Sequence, residues 1–527
     1  MNDLKVTDVL VQCLENEGVE YIFGIVGKET LDFAESMSKS EQIQFVNVRH
    51  EQGAAFMADV YGRLANKPGV CTSTLGPGAA NLLTGIASAQ LDHSPVVAIV
   101  GQAGLNRQHP ESHQFVDIVK LFEPVTKWST QILESQSLPT TIRKAFRTAK
   151  LEKPGSVVVT LPENLAAQMI PNKPLPVPPI PDLVPDMEAI KYAVRLIENH
   201  LKPFIIVGNG VIRQDAGDAL LSFIEALDVP VTHSFMAKGV LPKDHRQQYF
   251  TFGFNEQDEV LVGLEEADLL IVIGFDVVEK LPKDWNPKKL PVFHIDTVPA
   301  EVNEYYPVQA ELVGNIKKTL EMLVQQKLPH KTWAPSGGGL QEKIKTAYQT
   351  EQTDSNLTIE NILHIVEKCT NENAIVISDV GAHKVAIART YQPKKPNRTI
   401  ISNGLASMGI AIPGSIGAKL ACPSDQVICI TGDGGALMNI SEIETAKRLG
   451  LSFIIIVLND SMLKLEVQTM NKMFGENYGL TFGNPDFVQL ADSFGIKGFR
   501  IETLSYFEKV FKEALASEEI VLIDVSI

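Results

Sequence analysis

Along this chain, short runs of aliphatic and β-branched residues alternate with longer stretches in which apolar positions recur every three or four residues. The short runs fall at 21–25, 44–48, 69–74, 96–100 and 157–161, then at 204–207, 269–273 and 292–295. They resume at 374–378, 399–402, 427–431, 453–458 and 520–525. Runs this apolar predict strands covered on both faces, and their alternation with helical patterns predicts βαβ units and parallel sheets. Two segments break the rhythm. Pro171 to Pro185 holds seven prolines in fifteen residues, which excludes helix or inner strand and forces an extended connector. From Pro329 to Gly339 a second break contains Pro335 and Gly337-Gly338-Gly339. The expected fold class is α/β, with three consecutive doubly wound parallel-sheet domains at 1–170, 186–328 and 345–527, joined by connectors at 171–185 and 329–344. The outer two pieces share their rhythm, which by itself does not prove duplication.

The length of 527 residues, at roughly 150 per domain, accords with that division. With 44% apolar and 21% charged residues there is material for several cores, and disordered or fibrous classes are excluded. The charge is −16 and no basic run stands out, so no nucleic-acid partner is expected. Five cysteines (Cys13, Cys71, Cys369, Cys422, Cys429) form no C-x-x-C pair and read as reduced thiols. The polar start and strand-length apolar runs, far short of the roughly 20 residues a bilayer span needs, point to a cytoplasmic protein with no membrane partner.

The segment richest in chemistry is 427–461. A predicted strand runs into Gly432-Asp433-Gly434-Gly435, a helical stretch continues through Leu449, and a second strand ends in Asn459-Asp460. Parallel strands finish at one sheet edge, so Asp433 and Asp460 are expected side by side although 27 residues apart. Two oxygen donors beside the free N–H groups of a helix start make a place for Mg²⁺ and a diphosphate. Taken singly, Gly-Asp-Gly is a turn and Asn-Asp a helix cap; their placement after two consecutive buried strands joins them. A second segment is Arg49-His50-Glu51-Gln52-Gly53-Ala54-Ala55. Its carboxylate follows a strand and precedes a small-residue helix start, a half-buried edge position suited to proton exchange at neutral pH. The plainer reading is a helix-start carboxylate favoured by the macrodipole.

The first segment resembles the signature of the thiamine-diphosphate enzymes, in which GDG is followed some two dozen residues on by Asn-Asn or Asn-Asp. Here 24 residues separate Gly434 from Asn459. The resemblance implies that Asp433, Asp460 and the backbone carbonyl of Met462 hold Mg²⁺, with Gly432, Gly434 and Gly435 at the cofactor. Asp460 departs from the usual Asn in a way seen in catabolic acetolactate synthases. The second segment resembles the RHE-x-x-A-A string of acetolactate synthases, in which Glu51 would hydrogen-bond the aminopyrimidine ring of thiamine diphosphate. Further strings are similar to the same family. Gly24-Ile25-Val26-Gly27 resembles its GIPG segment, with Glu29 a departure, and Gly76-Pro77-Gly78-Ala79-Ala80-Asn81 its GPG-x-x-N loop. Asp379-Val380-Gly381-Ala382-His383 resembles the diphosphate-binding turn. Asn403 to Gly409 resembles the stretch in which Ser407 adjoins a bulky wedge, here Met408, that bends the cofactor into a V. The implied order of domains is pyrimidine-binding, central, diphosphate-binding.

His113-Gln114-Phe115-Val116-Asp117, followed by Pro124-Val125-Thr126-Lys127, resembles the HQ-x-x-D…PVTK run of acetolactate synthases. A His–Gln pair can hold a substrate carboxylate and shuttle a proton. Glu466, six residues past Asp460, stands where pyruvate decarboxylases similarly carry a catalytic Glu; the bland alternative is a solvated helix position. Gly274 to Glu279 resembles the FAD-free catabolic branch rather than the Arg-containing string of biosynthetic enzymes, so FAD is not expected. The resemblance thus implies an acetolactate synthase that decarboxylates pyruvate and ligates the retained two-carbon unit to a second 2-keto acid, giving 2-acetolactate and CO₂. It further implies a homodimer or homotetramer, with Glu51 of one chain facing the Asp433/Asp460 motif of another. A pyruvate decarboxylase, an oxidase or another carboligase is the nearest alternative. A non-catalytic paralogue has no use for Glu51, Asp433 and Asp460 together, and no full G-x-G-x-x-G supports an NAD-binding oxidoreductase. A regulatory subunit is left undetermined.

Overall fold

A computed structural model describes residues 3–171, 173–254, 258–347 and 357–527. Three six-stranded sheets follow one another along the chain, and every strand pair within them is parallel. The first runs Gln44–Asn47, Tyr21–Gly24, Gly69–Ser73, Val96–Gln102, Ser156–Pro162, Trp128–Gln131 across the sheet. The third runs Thr399–Ile401, Ile375–Ser378, Val427–Gly432, Ile454–Asn459, Val521–Ser526, Lys497–Ile501. Numbered along the chain, both sheets have the order 2-1-3-4-6-5, so the shared rhythm of the outer pieces is a shared topology. The central sheet has the order 3-2-1-4-5-6, from Gln248–Thr251 through Val231–His233, Pro203–Val207, Leu269–Ile273 and Val292–Asp296 to Val308–Val313.

Each strand feeds two cores, because successive side chains point to opposite faces. In the first sheet Phe23, Val46, Cys71, Ala98 and Val158 enter one apolar cluster, while Ile22, Val70, Val97, Val157 and Val159 enter another. The first of these clusters also contains Ile375, Ile377, Cys429, Ile455 and Val457 of the third sheet, so the N- and C-terminal sheets share one core. Helices Glu51–Ala65 and Ala411–Ala421 meet in it: a Cβ on Gly414 would touch Val60, and one on Gly417 would overlap the backbone of Met57. Only small residues allow so close an approach.

Strands unseen in the sequence are Trp128–Gln131, Val231–His233, Gln248–Thr251, Val308–Val313 and Lys497–Ile501, all but Val231–His233 at sheet edges, and the short antiparallel pair Leu4–Lys5 and Met169–Ile170. No helix or strand forms among the described residues between Ile170 and Met187, where prolines crowd. The second half of the 329–344 stretch is not a bare connector: helix Gly339–Ala347 buries Leu340 and Ile344 in the apolar cluster of the central domain that also holds Tyr249 and Phe204. The helical stretch after Gly432 is two helices, Asp433–Asn439 and Glu442–Arg448, broken where Asn439 turns its side chain to donate to the Gly409 carbonyl at 2.8 Å. Among the described residues no helix is long and apolar enough to cross a membrane.

Candidate active site

A doubly wound sheet leaves a crevice at its carboxyl edge where the strand order reverses. In the third sheet the reversal lies between Ile375–Ser378 and Val427–Gly432, so the loops leaving it carry Asp379 to Gly381 and the Gly432-Asp433-Gly434 turn. In the first sheet it lies between Tyr21–Gly24 and Gly69–Ser73, whose loops carry Gly27 and Thr74 to Gly76. Four of the strings singled out in the sequence, those at Gly24–Gly27, Gly76–Asn81, Asp379–His383 and Gly432–Gly435, therefore begin at the two crevices that topology alone would pick.

At the third sheet, Asp379 is fully buried and organises the edge. Its carboxylate accepts the N–H groups of Val380 (2.8 Å), Gly409 (2.9 Å) and Ala411 (3.1 Å), binding the strand-end turn to the loop that holds Ser407 and Met408. Burial raises the Asp379 carboxyl above its ordinary value and the three N–H groups counter that. Gly381 (φ 150°) opens helix Ala382–Thr390, whose first N–H groups have no side-chain cap. The Met408 methyl lies 3.4 Å from where a Cβ on Gly434 would stand, so the proposed wedge and the GDG turn face each other.

Asp433 and Asp460 converge as the register requires, since Gly432 pairs with Leu458 on the neighbouring strand. Asp433 is buried; one oxygen accepts the Gly434 N–H (2.7 Å) and the other accepts the Asn484 amide (2.7 Å) and the Ser461 N–H (2.6 Å). Asp460 accepts the Met462 N–H at 3.2 Å and has Lys464 Nζ at 3.4 Å. Burial raises the Asp460 carboxyl, Lys464 and the Met462 N–H oppose that, and the like charge of Asp433 adds to it. Met462 is held in place by an antiparallel bridge to Thr481. Two polar atoms here are buried without a hydrogen-bond partner: Nε2 of His383 and Oδ1 of Asn484. Burial pushes the His383 imidazole down to about 4, so it is neutral. Two carboxylates with unshared lone pairs and two partnerless polar atoms fit a Mg²⁺–diphosphate group, since hard cations take oxygen ligands.

At the first sheet, Glu51 begins helix Glu51–Ala65 and is 7% exposed. One carboxylate oxygen accepts the Asn81 amide at 2.9 Å, and the other lies 3.2 Å from where a Cβ on Gly78 would stand. Pro77 opens helix Pro77–Leu91, and Gly76 before it (φ 59°) lies against the Gln114 carbonyl, where a Cβ would be 2.6 Å away. Gly27 packs against Thr74 with equal closeness. Glu29 accepts from Thr74 (2.7 Å) and Arg107 (3.0 Å), so this carboxylate belongs to an ion-paired loop support. His113 and Gln114 are exposed, on the loop over Gly76; Glu466 is exposed on helix Lys464–Phe474. The Arg107 guanidinium reaches the His113 carbonyl at 3.4 Å.

The two edges are tied within the chain by helix Glu442–Arg448. Glu442 is fully buried and accepts the N–H groups of Arg49 and His50, both at 3.0 Å, immediately before Glu51. Glu444 pairs with Arg49, and Arg448 donates to the Asn47 carbonyl. Sequence reasoning missed Glu442 and Asn484, and it passed over Asp379 inside a string it quoted. A Glu inside an amphipathic helix, or an Asn before Pro485, carries no local signal of a partner hundreds of residues away or across a loop.

Three family models match: an N-terminal thiamine pyrophosphate binding domain over residues 4–121, a thiamine pyrophosphate enzyme central domain over 190–323, and a C-terminal thiamine pyrophosphate binding domain over 379–525. The acetolactate synthase of Bacillus subtilis is 31% identical over 530 residues, covering 99% of this chain and 92% of the relative. The acetolactate synthase large subunit of Haemophilus influenzae is 33% identical, covering 100% and 95%. A probable acetolactate synthase large subunit of Methanococcus aeolicus is 31% identical, covering 99% and 91%. The chain belongs to the thiamine pyrophosphate enzymes and, among them, to the acetolactate synthase family.

Proposed function

We propose that this protein is an acetolactate synthase: it decarboxylates pyruvate and joins the retained two-carbon unit to a second 2-keto acid, releasing CO₂ and 2-acetolactate. The observation that carries the reading is the convergence of Asp433 and Asp460 at a switch-point crevice, facing Met408 and flanked by partnerless His383 and Asn484 atoms. Asp433, Asp460 and the Met462 carbonyl would hold Mg²⁺. Val380, Gly381, Ala382, His383, Ser407, Gly432, Gly434 and Gly435 would line the place of the diphosphate and ring, with Met408 setting the bend. Bound thiamine diphosphate supplies a nucleophilic carbon and a sink for the electrons left when CO₂ departs.

The chain's own side chains orient and exchange protons around it. Glu51, held by Asn81, would hydrogen-bond the pyrimidine ring and move a proton at its nitrogen. Gly27 and Pro77 shape that end of the pocket. His113 and Gln114 would bind the 2-keto acid carboxylate, and Glu466 would serve as an acid at the rim. These three lie exposed in the single chain, as do Met473 (66%), Phe474 (67%) and Tyr478 (86%) beyond Asp460. A second copy covering these surfaces would close the site, which supports a homodimer or homotetramer in which Glu51 serves the partner's metal motif. We place the protein in the cytoplasm and assign FAD no part, because Gly274 to Glu279 does not carry the Arg-containing string of biosynthetic enzymes.

The relatives quoted are named acetolactate synthases, which favours that product over acetaldehyde or acetate. The test is product identification: purified protein with pyruvate, thiamine diphosphate and Mg²⁺ should yield 2-acetolactate from a colourless preparation. Acetaldehyde or acetate as the sole product overturns the reading.

A further inference from the structure

The loop carrying Met408 is fixed at both ends by buried carboxylates. At its far end Asp379 holds Gly409 and Ala411. At its near end the holder comes from the first sheet's layer: Asp92, 1% exposed, accepts the Gly404 N–H at 2.7 Å and the Asn403 N–H at 3.1 Å. The Asn403 side chain donates to the Glu279 carbonyl of the central layer at 3.1 Å, and Ser88 meets Ser402 at 3.3 Å. Three layers of the molecule thus converge on Ser402 to Gly404. Between the clamps Ala406 is held in the left-handed region (φ 52°), a conformation a non-glycine residue keeps only when its surroundings impose it.

Asp92 is the wrong residue for its own helix. It caps the C-terminus of Pro77–Leu91, where the macrodipole disfavours negative charge. The nearest cation, Arg63, stands 3.7 Å away, beyond hydrogen-bond distance. Beside that buried ion pair, the carboxylate's hydrogen bonds to the loop come from the pair of N–H groups, and charge-assisted bonds of that kind are the strong ones. Glycine at 404 serves the same approach: a Cβ there would stand 2.8 Å from the Leu91 carbonyl carbon and oxygen.

We propose that Asp92 is a positioning residue for the cofactor, setting the Asn403–Gly409 loop so that Met408 stands against the Gly434 turn. This rests on the reading of that turn as the thiamine diphosphate site. The test uses full-length protein and two readouts other than turnover: hydrogen exchange of the 403–411 amides without cofactor, and thiamine diphosphate affinity at saturating Mg²⁺ by calorimetry. Asp92→Ala should speed exchange in that peptide and weaken affinity, each roughly tenfold or more, whereas Asp92→Asn, which keeps one acceptor oxygen, should recover most of both. If Asp92→Ala does not fold, Gly404→Ala pushes the loop from Leu91 with the carboxylate intact, and the same two shifts are expected. Wild-type protein that fails to bind thiamine diphosphate overturns the site reading. Wild-type protein that binds it, alongside a folded variant with unchanged affinity, overturns the role of Asp92 alone, whether or not the loop loosens.

Discussion

Asp433 spends its two oxygens on three donors, the Gly434 N–H on one and the Ser461 N–H and Asn484 amide on the other, and that arrangement fixes where its remaining lone pair, on the first oxygen, points. Asn484 also donates to the Asn459 side chain at 2.9 Å, so one amide orients both ends of the motif. Asn484→Ala should therefore raise the Mg²⁺ concentration needed for half-maximal activity about tenfold or more, with the protein still folded. A metal titration reads this directly, and an unchanged midpoint would show the amide to be incidental. Glu51 makes the opposite prediction. Glu51→Gln keeps an acceptor for Asn81, so cofactor and Mg²⁺ affinities should stay within about threefold while turnover drops by at least about a hundredfold. Turnover near that of wild type would remove the role given to Glu51. At this scale the sequence was eloquent about residues inside strings, such as Asp433, Asp460 and Glu51. It was silent about Asn484 and Glu442, whose partners the chain brings near only by folding.

Helix Glu442–Arg448 shows what an element adds. Its buried Glu442 takes the two N–H groups that precede Glu51, and burial raises that carboxyl while the Thr445 hydroxyl and the two N–H groups counter it. Glu442→Ala leaves those part-buried N–H groups without their acceptor, which should cost about 1–2 kcal/mol in denaturant-derived stability. Glu442→Gln, retaining an acceptor, should cost less than half of that. Long apolar strands, such as Leu269–Ile273 and Ile454–Asn459, were legible in advance, as were the edge strands Gln44–Asn47 and Thr399–Ile401, whereas the inner strand Val231–His233 is only three residues long and was missed. Others missed carry polar residues at an edge, as in Trp128–Gln131 and Lys497–Ile501, where one side needs no apolar cover. Gln248–Thr251 was hidden for another reason: it is an edge strand buried beneath helix Gly339–Ala347, which donates from Gln341 to the Gln248 carbonyl at 2.7 Å, and its terminal Gln and Thr break the apolar run although all four residues are buried.

Over the whole molecule, Asp59, buried on helix Glu51–Ala65 between the first and third sheets, should report on pH. Burial pushes the Asp59 carboxyl up to about 7; Arg63 opposes this, Asp92 adds to it, and Ser94 and Ser88 oppose it. An unfolded Asp titrates near 3.8, so between that value and about 7 the folded chain keeps a proton the unfolded chain has released. Stability contributed by this group is present at low pH and declines as pH rises through that window. Asp59→Asn should flatten the decline by on the order of 4 kcal/mol, read from urea midpoints at both ends of the range, and an unchanged slope would contradict it. The assembly makes a further prediction. If each site draws Glu51 from one copy and Asp433 from another, inactive Glu51→Gln and Asp433→Asn proteins mixed and reassociated should regain activity, up to about a quarter of wild type if chains mix at random, because one site in a hybrid dimer is intact. No recovery despite chain exchange would place both residues in one chain's site. The most direct measurement is a crystal structure of the protein with thiamine diphosphate and Mg²⁺. The account predicts the metal at about 2.1 Å from Asp433, Asp460 and the Met462 carbonyl, with Glu51 hydrogen-bonded to the pyrimidine ring. Cofactor density elsewhere, or a metal that leaves Asp433 and Asp460 unbound, would contradict it.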